Sequence, residues 1–225
     1  MRLSIVVPVL DEAEGIAAFL QPLQVLRARG HEVLVVDGGS RDGTPGFAQA
    51  LADRVIASPR GRATQMNAGA RVAHGDALLF LHADTRLPEQ AFAIIEQALL
   101  RHTWGRFDVA IEGHSTWLPV IAILMNLRSR LTGIATGDQA IFVTRAAFDA
   151  VGGYPEQPLM EDIELSKRLK RIGPPACLRA RAVTSGRRWE QHGVWRTILL
   201  MWRLRFDYWR GVPATRLAAR YHPGT

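Results

Sequence analysis

The feature that most restricts the fold is a rhythm in the first part of the chain: short apolar runs, each closing on acids or glycines, alternate with stretches of helical periodicity. Leu3 to Val9 is the first run, and Gly15 to Arg29 follows with Ile16, Phe19, Leu20, Leu23 and Leu26 at helical spacing and Gly30 as the stop. Glu32 to Val36 predicts a second strand, Thr44-Pro45 opens a helix to about Ala52, and Arg54 to Ala57 predicts a third strand. Gly61 to Ala73 reads as a helix. Asp76 to Leu87, DALLFLHADTRL, contains a fourth strand centred on Leu78 to Leu81, after which Asp84 enters a loop. Continuous apolar runs, in place of strict alternation, indicate strands covered on both faces. The order β-α-β-α then predicts a mostly parallel sheet with helices on both sides, whose strand ends collect ligands along one edge.

Beyond Pro88 the spacing predicts an amphipathic helix from Glu89 to Arg101 and a strand from Gly105 to Glu112. Ala140 to Thr144 reads as a strand, Ala146 to Val151 as a short helix, Gly152-Gly153 as a turn, and Glu161 to Ile172 as a helix with a basic last turn. Trp117 to Leu127, WLPVIAILMNL, is strongly apolar but shorter than the roughly 20 residues a spanning helix needs. It is either a core helix or an interfacial one. Without a linker or internal repeat, residues 1–225 are expected to form one domain, with a nucleotide-binding half to about residue 88, an acceptor half to about 180, and a helical extension from about 187.

That extension is distinctive in charge. Residues 167–225 hold fourteen Lys or Arg against two acids, Glu190 and Asp207, whereas residues 1–166 hold fourteen against nineteen. A cationic tail implies an anionic neighbour: substrate phosphates, a membrane surface or nucleic acid. Lys167 and Lys170 are the only lysines, so a bias toward arginine also inflates the count. In the helix expected from Gly193 to Arg210, Trp195, Trp202 and Trp209 recur every seventh residue, Arg196, Arg203, Asp207 and Arg210 form a narrow polar stripe, and Arg205 lies within the apolar face. Such a helix is packed into protein, its own chain or a homodimer partner, or lies in a membrane interface with arginines at the head groups. Nothing resembles an RNA-binding module, so no nucleic-acid partner is expected. A single cysteine, Cys177, suits a reducing compartment, and the opening MRLSIVVPVL reads as a first strand rather than a signal peptide. The expected location is cytoplasmic, either free or peripheral on the inner face of the cell membrane.

Chemistry is concentrated at the strand ends: Asp11 and Glu12 after the first, Asp37-Gly38-Gly39-Ser40 after the second, Arg60-Gly61-Arg62 after the third, Asp84 after the fourth. Glycines admit close backbone approach, carboxylates accept from a base or ribose, and arginine holds phosphate, so together these turns describe a nucleotide site. Individually, Asp37-Gly38 and Asp42-Gly43 are also ordinary turn sequences. Neither GxGxxG after the first strand nor GxxxxGK[ST] is present, which argues against dinucleotide and P-loop chemistry.

The segments VVPVLDEAEGI, VVDGGSRDGT, RATQMNAGA, LLFLHADTRLP and GDQAIFVTRAAFDAVGGYPEQPLMEDIELSKRLKRIG, in this order, resemble family-2 glycosyltransferases of the GT-A fold, and among them a bacterial subgroup associated with radical-SAM and selenium-related domains. The resemblance implies transfer of a hexose from a nucleotide-sugar donor, a UDP- or GDP-sugar, with Mg²⁺ or Mn²⁺ and inversion at the anomeric carbon. The acceptor stays unidentified, with a lipid-linked or membrane-proximal molecule as one candidate. It implies that Pro8 and Leu10 shape the base pocket, that Glu12, Asp37 and Gly39 contact the nucleoside, and that Arg60 and Asn67 lie near the phosphates or ribose. Asp84 corresponds to the metal-binding acid of the Asp-x-Asp element, and Asp162 or its neighbour Glu161 to the catalytic base. Three positions depart from the pattern: His82 stands where the first acid of Asp-x-Asp is expected and is an alternative metal ligand, Gly38 replaces an aspartate, and Asp11 replaces an asparagine. A pyrophosphorylase-like nucleotidyltransferase is the competing enzyme class, but those carry a lysine soon after the first strand and this chain has none before Lys167.

Overall fold

The computed structural model describes residues 1–221, apart from the His192 side chain. The first apolar run forms β1 (Leu3–Val9), an inner strand flanked on both sides by parallel partners, β2 (Glu32–Asp37) and β4 (Ala77–Phe80). β3 (Arg54–Ala57) adds outside β2, also parallel. Every residue of β2 and β4 is buried, as the unbroken apolar runs require. Alternate residues sort to opposite faces. Ile5, Val7, Val33, Val35 and Leu79 meet Ile16 and Leu20 of α1 (Ile16–Leu20) and Leu23 of the 3-10 turn that joins it to α2 (Gln24–Ala28). Val6, Leu34, Val36, Leu78 and Phe80 meet Ala63, Met66 and Ala70 of α4 (Arg62–Val72), which follows the short α3 (Thr44–Ala48). At Gly69 a Cβ would lie 2.4 Å from Val6 Cγ1, so α4 can sit this close to the sheet only with glycine there.

The second half adds β5 (Thr85–Arg86), α5 (Ala91–Leu99), β6 (Trp104–Glu112), α6 (Leu118–Thr132), β7 (Phe142–Thr144), α7 (Arg145–Ala150), α8 (Glu161–Lys170) and β8 (Ala176–Ser185). The eight strands make one sheet in the order β3-β2-β1-β4-β7-β6-β8-β5. β7 is antiparallel to both β4 and β6, while β6 and β8 run parallel and β5 pairs antiparallel with β8. The parallel left half and mixed right half, with helices on both faces, give the GT-A fold. β5 and β8 were not expected from the sequence. Arg179 and Arg181 break any apolar run in β8, and its half-buried pattern comes from pairing with β6.

The tail forms α9 (Arg187–His192), α10 (Val194–Trp209) and α11 (Ala214–Tyr221). α10 buries Thr197 and Leu204, and Leu204 packs with Leu159, Met160, Leu217 and Tyr221. Its tryptophans face the other way: Trp195, Leu199, Trp202, Phe206 and Trp209 are all exposed. Packing within the chain therefore accounts for one side of this helix only. No helix among the described residues is long and apolar enough to cross a membrane.

Candidate active site

The loops at the carboxyl ends of β1 and β2 are built as one unit. Asp37 accepts from the backbone N–H groups of Gly39 and Ser40, each at 3.1 Å, and the Ser40 hydroxyl reaches the Asp11 N–H at 2.9 Å. Asp11 returns the link by accepting from Arg41 N–H at 2.8 Å, in a left-handed conformation with φ of 52°. Thr44 Oγ1 accepts from Glu12 N–H at 2.8 Å and Asp42 from Ala13 N–H at 2.9 Å. Beneath them the buried Gln65 amide donates to Val9 O at 2.9 Å and Val36 O at 2.8 Å, tying α4 to both strand ends. These bonds fix the loop before any ligand binds, which is how a rigid sheet edge presents backbone and carboxylate groups.

A cleft of about 1410 Å³ opens beside this unit, lined on one side by Pro8, Leu10, Glu12, Arg60 and Asp84 and on the other by Asp138, Glu161 and Asp162. The eight residues named from sequence for the donor nucleotide and its metal thus fall into three groups. Pro8, Leu10, Glu12, Arg60 and Asp84 line the cleft; Asp37 and Gly39 lie behind it in the loop unit; Asn67 is elsewhere. Both ends of the Asn67 amide are taken by the Tyr154 backbone, at 2.8 and 3.0 Å, so its evident task is to hold the turn before α8. Burial raises the Glu12 carboxyl above its ordinary value, opposed by Arg187, whose guanidinium lies 3.8 Å away. Its neighbour Arg188 stacks 3.7 Å over the Tyr221 ring.

Asp84 is exposed, with Thr85 Oγ1 3.2 Å from its carboxylate, and its own carbonyl accepts from Ser185 N–H at 3.2 Å, which anchors the loop to β8. His82 also lines the cleft, between the Asp84 loop and Asp138. Its ring fills the space over Gly137, where a Cβ would lie 2.2 Å from Cε1, and its Nδ1 faces Asp138 Oδ1 at 3.5 Å. Burial opposes ionisation of Asp138, but the His82 ring, Arg62 and Arg188 hold its carboxyl below the ordinary value. Asp138, within the GDQ segment, was not singled out from sequence. No group of three or more His, Cys, Asp or Glu that could hold a metal occurs among the described residues. One exposed carboxylate still suits Mg²⁺ or Mn²⁺, hard ions that nucleotide enzymes hold through one or two acids plus the substrate's phosphates.

Across the cleft Met160 adopts a left-handed conformation, φ 64°, and starts α8 with two adjacent acids. Asp162 accepts from Gly137 N–H at 3.0 Å and from Ile163 N–H at 2.7 Å. Glu161 is 5% exposed. Burial raises both carboxyls, that of Glu161 further through the charge of Asp162 and against the pull of Arg62. A strained residue holding two raised carboxyls in a cleft is an arrangement suited to proton transfer.

The model of glycosyl transferase family 2 matches residues 4–144. The chain belongs to glycosyl transferase family 2. A curated relative, the beta-monoglucosyldiacylglycerol synthase of Synechocystis sp., is 25% identical over 81% of this chain, which spans only 43% of that protein. Among solved structures, a mannosyltransferase from Pyrobaculum calidifontis in complex with GDP-Man and Mn²⁺ superposes with a TM-score of 0.66 at 23% identity, covering 81% of this chain and 56% of that one. TarS of S. aureus in complex with UDP-GlcNAc gives 0.65 at 18% identity, covering 82% and 58%. The likeness to these structures establishes that this family-2 member has their fold.

Proposed function

We propose that this family-2 member is a metal-assisted glycosyltransferase that moves a sugar from a UDP- or GDP-sugar to an acceptor hydroxyl with inversion. The observation that carries the reading is that the strand-end loops, Asp84 and the Glu161-Asp162 pair line a single cleft. In this reading Pro8, Leu10 and Glu12 receive the nucleoside, Asp37 and Gly39 keep that loop in shape, and Arg60 attends the diphosphate. Asp84, together with the donor phosphates, would hold Mg²⁺ or Mn²⁺, which neutralises the charge gathering on the leaving diphosphate. Asp162 takes the proton from the acceptor hydroxyl as its oxygen attacks the anomeric carbon, and the nucleoside diphosphate departs from the opposite face, so one displacement inverts the centre. Asp162 is preferred to Glu161 because it is the less buried of the two and its carboxylate is aimed by two backbone N–H groups. The expected result is that nucleoside diphosphates raise the melting temperature only with Mn²⁺ present, and that Asp84→Ala removes the effect. Asp162→Asn is expected to keep nucleotide binding and lose transfer; retained turnover would assign the base elsewhere.

The same reading places the enzyme on an anionic bilayer. On α10 the exposed Trp195, Leu199, Trp202, Phe206 and Trp209 fall within about 80° of arc, beside a stripe of the exposed Arg196, Arg203 and Arg210. On α6 the exposed row is Val120, Ile123, Leu124, Leu127 and Leu131. Eleven of the sixteen large exposed apolar residues among those described lie on these two helices, counting Trp117 at the start of α6. An apolar stripe edged with arginines suits anionic head groups. Flotation with anionic vesicles at low salt, weakened by salt and by Trp202→Glu, checks this; a concentration-dependent dimer with no flotation would refute it.

A further inference from the structure

The helices α6 and α10 approach each other where Trp117 and Trp195 pack edge to face, with centroids 4.9 Å apart. From that contact Ile121, Leu124 and Met125 continue along the cleft on α6, and Ile198, Met201 and Trp202 on α10. Each apolar row ends in an arginine that also lines the cleft, Arg128 on one helix and Arg205 on the other, roughly 15 Å along each axis at 1.5 Å per residue.

Each arginine keeps buried nitrogen atoms that are unpaired among the described residues. Nε and Nη2 of Arg128 and Nε of Arg205 are shut off from solvent and have no hydrogen-bond partner among the described residues. The Asp108 carboxylate on β6 is already shared, by the buried Arg106 and, at 2.7 Å, by Arg130. Asp162 and Asp138 attract Arg128 only through space. A guanidinium nitrogen shut off from solvent without a partner is destabilising, and the planar fork matches a phosphate or carboxylate.

We propose that Arg128 and Arg205 form a subsite for the phosphate of an amphipathic acceptor, a lipid whose head carries that phosphate beside the hydroxyl that receives the sugar, and whose apolar part lies between α6 and α10. This names the acceptor class for the glycosyl-transfer reading above and rests on it. The assignment to acceptor, not donor, follows from position. The donor residues come from the loops after β1, β3 and β4, whereas these arginines sit on the two helices that carry the apolar walls. Those walls stay open to the outside, with Leu127 at 50%, Leu131 at 78% and Trp202 at 68% exposure, so a chain can enter from a bilayer and place its head beside Asp162.

The test is titration of the whole protein, followed by tryptophan fluorescence, with four probes: dodecyl phosphate below its micelle concentration, neutral dodecyl glucoside, inorganic phosphate, and a nucleoside diphosphate with Mn²⁺. The expected result is that dodecyl phosphate binds about tenfold or more tightly than either the neutral amphiphile or inorganic phosphate. Arg128→Gln and Arg205→Gln should each erase that preference and leave nucleoside diphosphate affinity unchanged. The Arg128→Gln protein should melt no lower than wild type, since it removes an unpaired buried cation. Equal binding of charged and neutral amphiphiles would overturn the proposal. So would loss of nucleotide affinity in Arg128→Gln, which assigns the arginine to the donor, or a large fall in its melting temperature, which assigns it to the fold. If the preference holds while no nucleoside diphosphate binds, the subsite stands and the glycosyl-transfer reading fails.

Discussion

The contact between His82 and Gly137 offers the sharpest test of how the cleft is built. Gly137 does not need glycine for its backbone, since its φ is not in the left-handed region. It needs glycine because the ideal Cβ position lies 2.2 Å from His82 Cε1 and 2.5 Å from Nε2. Gly137→Ala therefore forces the imidazole to swing away from Asp138. The ring is the far end of a side chain, so the cost should fall in the lower part of the range for overpacking, about 1–2 kcal/mol. For a chain of this size that is a melting temperature lower by about 2–8 °C. The same movement disturbs the Gly137 N–H that Asp162 accepts at 3.0 Å, so transfer activity should fall with stability. His82→Ala in the same chain opens the space, and the double variant should recover most of the loss caused by Gly137→Ala, giving a coupling energy of about 1 kcal/mol in a thermodynamic cycle. Gly46→Ala, with nothing within 4 Å of its Cβ, is the control and should be neutral or stabilising. Urea unfolding and differential scanning fluorimetry read all four proteins. A Gly137→Ala protein as stable as wild type, or losses that merely add in the double variant, would refute the reasoning.

Gln65→Leu, which keeps the volume but leaves Val9 O and Val36 O without their donor, should destabilise by about 2–4 kcal/mol in urea unfolding and weaken nucleotide binding. Glu161→Gln should raise the melting temperature near pH 8 but not at about pH 4. Burial holds the Glu161 carboxyl above 4.5, so its stabilising share is present below that value and is lost as pH rises through the folded value. The reverse sign applies to Glu32. Burial opposes its ionisation, but the Ser4 hydroxyl and the His74 N–H and ring hold its carboxyl below 4.5. Its stabilising share is present above that value and is lost as pH falls through the folded one, so Glu32→Gln should flatten the acid limb of the stability curve.

The left half of the sheet was legible because β1 to β4 and α4 are specified locally, by β-branched runs that can only be buried and by glycine and proline stops. β5 and β8 were not legible. Two residues carry no periodic signal, and β8 is a strand because β6 lies beside it, a pairing between segments far apart in sequence. α11 was missed for a related reason: Leu217 and Tyr221 acquire their burial from Leu204 and Met160 across the chain. The tail helix shows the limit most clearly. Its tryptophan repeat was plain, but a helical wheel does not say which side is inward, and only the packing of Thr197 and Leu204 turned the tryptophans out.

The sequence by itself determined the family, the sheet edge and the identity of the acids near it, because residue type and local spacing decide strand, helix and turn. Tertiary structure alone decided which of those side chains share a space. Asn67 was withdrawn to the Tyr154 turn, while Asp138, Arg128 and Arg205 were brought into the cleft that His82 and Asp84 also line. The physical reason is that a side chain's partners come from elements distant in the chain, and the hydrogen bonds and contacts that place it exist only once the sheet has closed around them.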